Sequence, residues 1–570
     1  MNQYEFFLCS SLEKVFPDKR PTALVKDSFM AAIGDTFSFQ LVYQLTNADN
    51  SCRFEYFDIS LQTEAGESTF RDVELVPAQY LATEKRDRFY LSTTPGLFPD
   101  LLLPSKGRIR PMADQYRSLW ITLPLQDCKS GTYSLTLNAS KVVVDPDTNE
   151  EKQIANTFWR KTLHLTVLDQ KLPALKLFHT EWFHVDCLCN YYHVQAWSEE
   201  HWQIVHNYIR FAAKECAINL LLTPIFTPPL DTSIGGERTT VQLVSISKKE
   251  DSYTFDFSKF RRWCAVCKEE GITSLEFAHF FTQWGAKKTP KILVEEDGKE
   301  KQLFGWHVAA TDPAYRNFLE AFVPALLKEA QEAGFDRTHL FFHISDEPND
   351  SNMDSYLAAK NQIADLLEGY QIMDALSSYE FYKKGCVQIP IPANDHIELF
   401  KENVRPLWTY YCIAQGNLVP NRFLALPSAR NRIMGVLCYL YEISGFLHWG
   451  YNFYNDENSR NAINPFTTTD GNKAFPAGDP FLVYPGKDGQ PLSSLRNEVQ
   501  KEAFFDLRYL CMLESRIGRE KVIELVKSEQ NCSFTFTDYP RAPEYLLQLR
   551  EKVLDRLIET SLDEKLLRIL

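Results

Sequence analysis

Asp346 and Glu347 stand side by side at the end of the run Phe341-Phe342-His343-Ile344-Ser345, and Pro348 follows them. A short apolar run closed by a breaker reads as a buried strand. Unpaired charge is costly to bury, so strand ends seldom carry two acids together. At the carboxyl end of a strand in an α/β protein, such a pair is a candidate for general acid–base chemistry. The competing reading is a helix start, with an acid as N-cap and Pro348 in the first turn.

A strand has to deliver the pair, and the chain around it supplies a repeating frame. From residue 175 onward, apolar runs near 175–183, 217–224, 274–281, 339–344, 371–376, 406–412, 422–426 and 445–450 are strand candidates. Helical patterns lie between them, such as Trp202–Glu215, Tyr315–Ala333 and Ser355–Glu368. Strands alternating with helices imply βαβ units, and eight of them close a (β/α)8 TIM-like barrel, here over residues 172–520.

Residues 1–171 differ. Thr36–Gln44, Leu119–Leu123, Tyr133–Leu137 and Leu163–Leu168 are short alternating runs separated by turns such as Lys129-Ser130-Gly131. This spacing predicts an N-terminal β-sandwich, with Leu172-Pro173-Ala174 as the way out. A long helix is predicted from Ser494 to about residue 518, and residues 521–570 read as a helical C-terminal extension. In that extension Glu544–Glu559 is helical and Ser533–Thr537 is a candidate short strand. The expected fold is therefore multidomain, β followed by α/β.

Composition narrows the function. Lys and Arg total 61 against 75 Asp and Glu, a formal charge of −14, with no basic stripe, which argues against a nucleic-acid partner. The 13% aromatic content fills cores and also offers faces on which sugar rings stack. No apolar run is long enough to span a bilayer, and Met1–Pro21 lacks a basic segment followed by an apolar one. With 13 scattered cysteines, reduced buried thiols and a cytoplasmic location are expected. No feature specifies an oligomeric state.

Metal and cofactor lookalikes are weak. Cys264-Ala-Val-Cys267 lacks a second ligand pair at suitable spacing, and His184, Cys187, Cys189 and His193 are dense but wrongly alternated for a finger. No Walker loop, dinucleotide fingerprint or nucleophile-elbow serine is present, so neither metal nor cofactor is expected.

Several segments together resemble glycoside hydrolase family 123. They are His343-Ile-Ser-Asp-Glu-Pro348, Asp374-Ala-Leu-Ser377, Trp408-Thr-Tyr-Tyr-Cys412, Gly445-Phe-Leu-His-Trp-Gly-Tyr451, and Gly478-Asp-Pro-Phe-Leu-Val-Tyr-Pro-Gly486 followed by Ser494-Leu-Arg496. His279-Phe-Phe-Thr-Gln-Trp-Gly285 is similar to a subgroup hallmark. The resemblance spans roughly residues 20–515 and is strongest over 175–510. It implies an N-terminal β-sandwich, a (β/α)8 catalytic barrel, and retaining, exo-acting β-N-acetylgalactosaminidase activity on a glycan or glycoconjugate.

Neighbouring acids fit one mechanism better than another. A two-carboxylate retaining glycosidase needs its carboxyls about 5–5.5 Å apart on opposite sides of the scissile bond. Side chains of adjacent strand residues diverge, so the strand must twist or end at Asp346-Glu347 for both to face one site. Approach from one side suits substrate assistance, in which the sugar's 2-acetamido oxygen is the nucleophile. The family resemblance implies the same mechanism. Glu347 is then the acid and base, and Asp346 holds the acetamido N–H. Two close carboxylates resist double ionisation, so one holds a proton near neutral pH; role alone assigns it to Glu347, and the alternative is that the pair titrates as a unit.

Aromatic and polar clamps complete the expected site. Trp408, Tyr410 and Tyr411 lie on the sixth strand candidate, with Tyr410 preferred for the acetamido carbonyl; Trp449, preferred for stacking, and Tyr451 close the eighth. Trp182, His184, His279, Gln283 and Trp284 follow the first and third strands and are candidates for sugar hydroxyls. His343 either orients Asp346 or fills a barrel layer. Asp374 and Glu380 bind hydroxyls or make local ion pairs; if substrate assistance fails, they become nucleophile candidates in a two-carboxylate enzyme. A third reading is a non-catalytic glycan-binding protein on an enzyme scaffold.

Overall fold

Alternation of apolar residues builds the N-terminal region of this computed structural model, which describes residues 2–24, 26–81 and 86–569, with side chains described to residue 561. One five-stranded antiparallel sheet has the order Gln3–Ser10, Thr36–Thr46, Arg117–Pro124, Thr69–Ala78, Gly96–Ser105. The second has the order Ser28–Ile33, Glu151–Lys171, Gly131–Val144, Glu55–Gln62, Arg108–Ile109, antiparallel except between its first two strands. Residues two apart share a face. Phe39 and Leu41 of one sheet and Leu135, Leu137, Leu163 and Leu165 of the other therefore meet in one buried cluster.

Eight parallel strands follow among the described residues: Phe178–Glu181, Leu220–Thr223, Ser274–Phe277, Leu340–Phe342, Gln371–Ala375, Ile389–Ile391, Leu407–Tyr410 and Ile443–His448. The second to sixth pair in sequence order as one sheet, and the first, eighth and seventh form another. Hydrogen bonds join the two sheets at both seams. Asn394 N donates to Tyr410 O at 2.9 Å, and Asn219 N donates to His179 O at 3.1 Å. Helices such as Glu199–Glu215, Ser258–Glu270, Pro313–Glu332 and Leu495–Ile517 separate or follow these strands. Ser198, Asp312 and Ser494 cap three of them with side-chain acceptors, the role their residue types favour.

Two expectations about strands fail for identifiable reasons. Residues 422–426 are not a strand but a buried loop. Their apolar character reflects burial, and the Arg422 guanidinium is buried there against Glu181 at 2.7 Å. The strand actually present, Ile389–Ile391, has Pro390 in its middle, and proline argues against strand in any sequence reading. It forms because only three residues are needed to bridge Gln371–Ala375 to its neighbours. The strand carrying Trp408 is consequently the seventh, not the sixth. Residues 533–537 also form no strand.

The N-terminal sheets are anchored to the parallel-strand region by buried ion pairs. Asp100, on Gly96–Ser105, receives Arg496 of the long helix at 2.8 Å and the Tyr484 hydroxyl at 2.6 Å. All thirteen cysteines are free, and Cys264 and Cys267 are buried along one helix. Among the described residues no helix is long and apolar enough to cross a membrane.

Candidate active site

The site is built upward from the interior of the fourth strand. His343 follows Leu340–Phe342 and is fully buried. Its Nε2 lies 2.6 Å from Glu276 of the third strand and its Nδ1 lies 3.1 Å from Asp374 of the fifth. Burial opposes its charge, but the hydrogen bonds to Asp374 and Glu276 prevail and lift its pKa to about 10. His343 is thus an imidazolium clamped between two acids. Glu276 also accepts from Trp182 Nε1 at 2.7 Å and from Thr180 Oγ1; Asp374 accepts from the Tyr356 hydroxyl at 2.5 Å. His279 lies on His343, ring centroids 4.3 Å apart and 18° from parallel.

His279, His343 and Asp374 come close enough to hold a metal. The stacked rings are face to face, so their in-plane lone pairs do not converge, and His343 already spends both nitrogens on carboxylates. Nor do His184, Cys187, Cys189 and His193 converge: His184 is bonded to Arg238 and Trp449, and Cys189 to His201.

Above this layer the chain turns sharply. Glu347 has φ +43°, a left-handed conformation that a non-glycine residue adopts at a cost. The turn is held from the third strand's loop: Ser345 Oγ donates to Thr282 O at 2.8 Å, and Trp284 N donates to Asp346 O at 3.0 Å. This break in the strand brings both acids into the wall of one cavity of about 120 Å³. They do not cap a helix. The next turn, Asp350–Asn352, is capped by Asn349.

The two acids differ in surroundings. Glu347 Oε1 accepts the Tyr410 hydroxyl at 2.7 Å and faces Cys412 Sγ at 3.8 Å. Burial first, and the adjacent Glu347 second, push the Asp346 carboxyl well above the usual range, against the pull of His343. The close pair therefore holds a proton before substrate arrives. His343 makes no hydrogen bond to Asp346; it acts on it through charge. Burial, then Glu347, raise Tyr410 as well, so its phenol stays a neutral donor.

Trp182, His184, Gln283, Trp284, Tyr410 and Trp449 share this cavity with the acids. Trp449 is braced twice: its Nε1 donates to Asp479 Oδ2 at 2.7 Å, and its carbonyl meets His184 Nε2 at 2.7 Å. Burial, and then the neighbouring Arg238, lower the His184 pKa to about 3, so its ring is neutral. Trp284 stands at the mouth, 50% exposed.

Other expected contacts lie elsewhere. Trp408 sits a layer below the cavity, stacked on Phe178 at 5.8 Å and 9°. Gly445 permits this packing, because a Cβ there would stand 2.1 Å from the indole. Tyr411 is on the opposite strand face from Tyr410 and packs on Phe446 and His448. Tyr451 is buried in the outer core and donates to Tyr208 O at 3.0 Å. His279, His343 and Asp374 form the layer beneath the cavity. Glu380 is on the surface beside Lys383. Neither alternative nucleophile lines the cavity.

Sequence reasoning missed Leu230, Asp231, Cys412 and Phe475, all of which line it. The available signal for Asp231 was its loop, Pro228-Pro229-Leu230-Asp231, just past the second strand at the same end as the acid pair.

Comparison with known proteins follows the same outline. The family model described as "Glycoside hydrolase 123, catalytic domain" matches residues 182–513. A solved family 123 glycoside hydrolase from Clostridium perfringens, analysed for glycolipid glycan hydrolysis, is similar in fold, with TM-score 0.71, 14% identity and 100% coverage of both chains. A family 5 mannosidase from Rhizomucor miehei gives TM-score 0.33 at 9% identity, covering 67% of this chain and 99% of its own. An endo-β-1,4-mannanase from Thermotoga petrophila gives 0.34 at 11%, covering 60% and 78%. No curated protein sequence matches the chain.

Proposed function

The chain belongs to glycoside hydrolase family 123 and is a glycoside hydrolase acting on glycans, and from that premise we propose that it releases terminal β-linked N-acetylhexosamine, N-acetylgalactosamine above all, with retention and by substrate assistance. In this reading the eight parallel strands are a (β/α)8 barrel over residues 172–520, the two N-terminal sheets a sandwich over 1–171, and 521–570 a helical extension.

The observation that carries the proposal is the placement of adjacent Asp346 and Glu347 in one cavity wall. Both approach the sugar from the same side, so the pair lacks the opposed arrangement of acid and nucleophile. The acetamido carbonyl oxygen attacks the anomeric carbon while the bond to the leaving oxygen breaks. Glu347 gives its proton to that oxygen. Asp346, as carboxylate, accepts the acetamido N–H and stabilises the oxazolinium charge. Water then adds to the anomeric carbon, returning its proton to Glu347, and the ring opens to the product with retained configuration.

Proton placement supports this sequence. Burial, and then the neighbouring Glu347, raise Asp346 in the free protein, so the pair holds a proton. An acetamido N–H pointing at Asp346 favours its ionised form, as does the imidazolium of His343 behind it, and the proton passes to Glu347. Tyr410 steers the Glu347 carboxyl.

The test is hydrolysis of an aryl β-N-acetylgalactosaminide. Turnover is expected, with Glu347→Gln lowering kcat roughly 10²–10⁴-fold. The plain β-galactoside should be inert. Besides the pair, Asp231 is the one carboxylate lining the cavity among the described residues, so a 2-fluoro sugar that labelled Asp231 would replace this mechanism with a two-carboxylate one.

A further inference from the structure

Three consecutive carbonyls after the second strand are each held by a side chain. Arg238 Nη1 donates to Leu230 O at 3.1 Å, Ser459 Oγ to Asp231 O at 2.7 Å, and Gln283 Nε2 to Thr232 O at 2.9 Å. Arg238 is itself buried and fixed, bonded to Asp186 at 2.7 and 2.8 Å and to His184 Nδ1 at 3.0 Å. Residues 230–232 are thus held from three sides, and Leu230 and Asp231 line the cavity.

The wall presents one acid. Asp231 has φ +39°, a strained conformation that persists only where the surroundings impose it. Its carboxyl receives the backbone N–H of Asn458, while Oδ2 is buried with no hydrogen-bond partner. A buried acceptor left unpaired is expensive, and such a group in a native site calls for an explanation. Burial raises this acid to about 6 even though Arg238 opposes the shift. Asp231 shares the cavity with Trp449 and Asp346, so a ring stacked on the tryptophan with its anomeric carbon at the acid pair has its remaining hydroxyls to place.

We propose that Asp231 is a specificity-determining residue whose carboxylate accepts a hydrogen bond from a ring or exocyclic hydroxyl of the terminal N-acetylhexosamine, away from the scissile bond. This rests on the hexosaminidase reading above and adds the group that reads the sugar's distal edge. A hydroxyl donor satisfies Oδ2 without bringing in a second charge, and the fixed carbonyls keep the acceptor in place before the sugar arrives. Binding energy gained far from the reacting carbon can be used in the transition state.

The experiment compares wild type and Asp231→Asn on the aryl β-N-acetylgalactosaminide and its 3-, 4- and 6-deoxy analogues. Asparagine tolerates positive φ as aspartate does, so the backbone is kept. On the parent substrate D231N should lose roughly 10- to 100-fold in kcat/KM, the range of a hydrogen bond to a charged group. For one deoxy analogue, or for two at neighbouring positions, the wild type should fall to the level of the variant. Undiminished kcat/KM in folded D231N, or an equal loss on the parent and all analogues, overturns the proposal. If D231N fails to fold, the wild-type series decides alone: no analogue losing more than about twofold overturns it. A wild type that cleaves no aryl N-acetylhexosaminide refutes the hexosaminidase reading instead.

Discussion

The Tyr410 hydroxyl donates to Glu347 Oε1 at 2.7 Å, tying the seventh strand to the residue that breaks the fourth. The bond fixes one oxygen of a carboxyl whose backbone is already held in the left-handed region. Removing it should loosen the acid without unfolding the protein. Tyr410→Phe is expected to lower kcat about 10-fold or more, from about 1.5–3 kcal/mol for a bond to a charged group. Melting temperature should change little. Unaltered kcat would show that Glu347 needs no such steering.

His343 is charged because Glu276 and Asp374 surround it. His343→Gln leaves two buried acids without their cation, which costs about 3–5 kcal/mol. Urea unfolding at pH 7 should show this loss. The sign with pH follows from a raised pKa. The folded histidine holds its proton to about pH 10, whereas the unfolded one releases it near 6.5, so this stabilisation is complete below 6.5 and fades as pH rises toward 10. The gap between wild type and variant should narrow over that window.

Asp231 follows the same rule in the same direction, in a lower pH window. Its folded pKa is about 6 against 3.8 for the unfolded side chain. Between those values the unfolded chain sheds the proton while the folded chain keeps it, so rising pH costs stability. The total is of order 3 kcal/mol. Asp231→Asn lacks this term. The stability of D231N relative to wild type should therefore rise from pH 4 to about pH 6 and then level off, as read by urea unfolding across that series.

Trp284 is half exposed at the mouth, and its backbone N–H donates to the carbonyl of Asp346. If the indole covers the leaving group of a longer glycan, its loss should be felt only by substrates that carry one. Trp284→Ala should lower kcat/KM on a β-linked disaccharide or trisaccharide by roughly 5- to 30-fold, the equivalent of about 1–2 kcal/mol of lost apolar contact. Affinity for an N-acetyl-thiazoline inhibitor, which ends at the anomeric carbon, should stay the same. Equal losses in both assays would place the side chain over the terminal sugar itself.

The position of the acid pair and the organisation of the chain around it are legible in the residues alone. Asp346-Glu347-Pro348 after an apolar run is a local signal, and a strand end with a breaker follows from those residues alone. The alternation in Thr36–Thr46 and the helical pattern of Leu495–Ile517 are local in the same sense. Which aromatics face the cavity is set by packing in three dimensions. Trp408 and Tyr410 share one strand face at different depths, and Tyr411 takes the other, so depth and side separate three residues that composition treats alike. The tertiary structure also decided the strand at Ile389–Ile391, whose proline is tolerated because neighbours supply the pairing, and the raised pKa of Asp346, which depends on burial, on Glu347 and on charges that include Asp374 and Asp231 from elsewhere in the chain. Asp231 lies 115 residues before Asp346 and meets it only when the second and fourth strands deliver their loops to one end. Electrostatic neighbours and cavity walls are assembled from residues distant in the chain, and no local pattern encodes that distance.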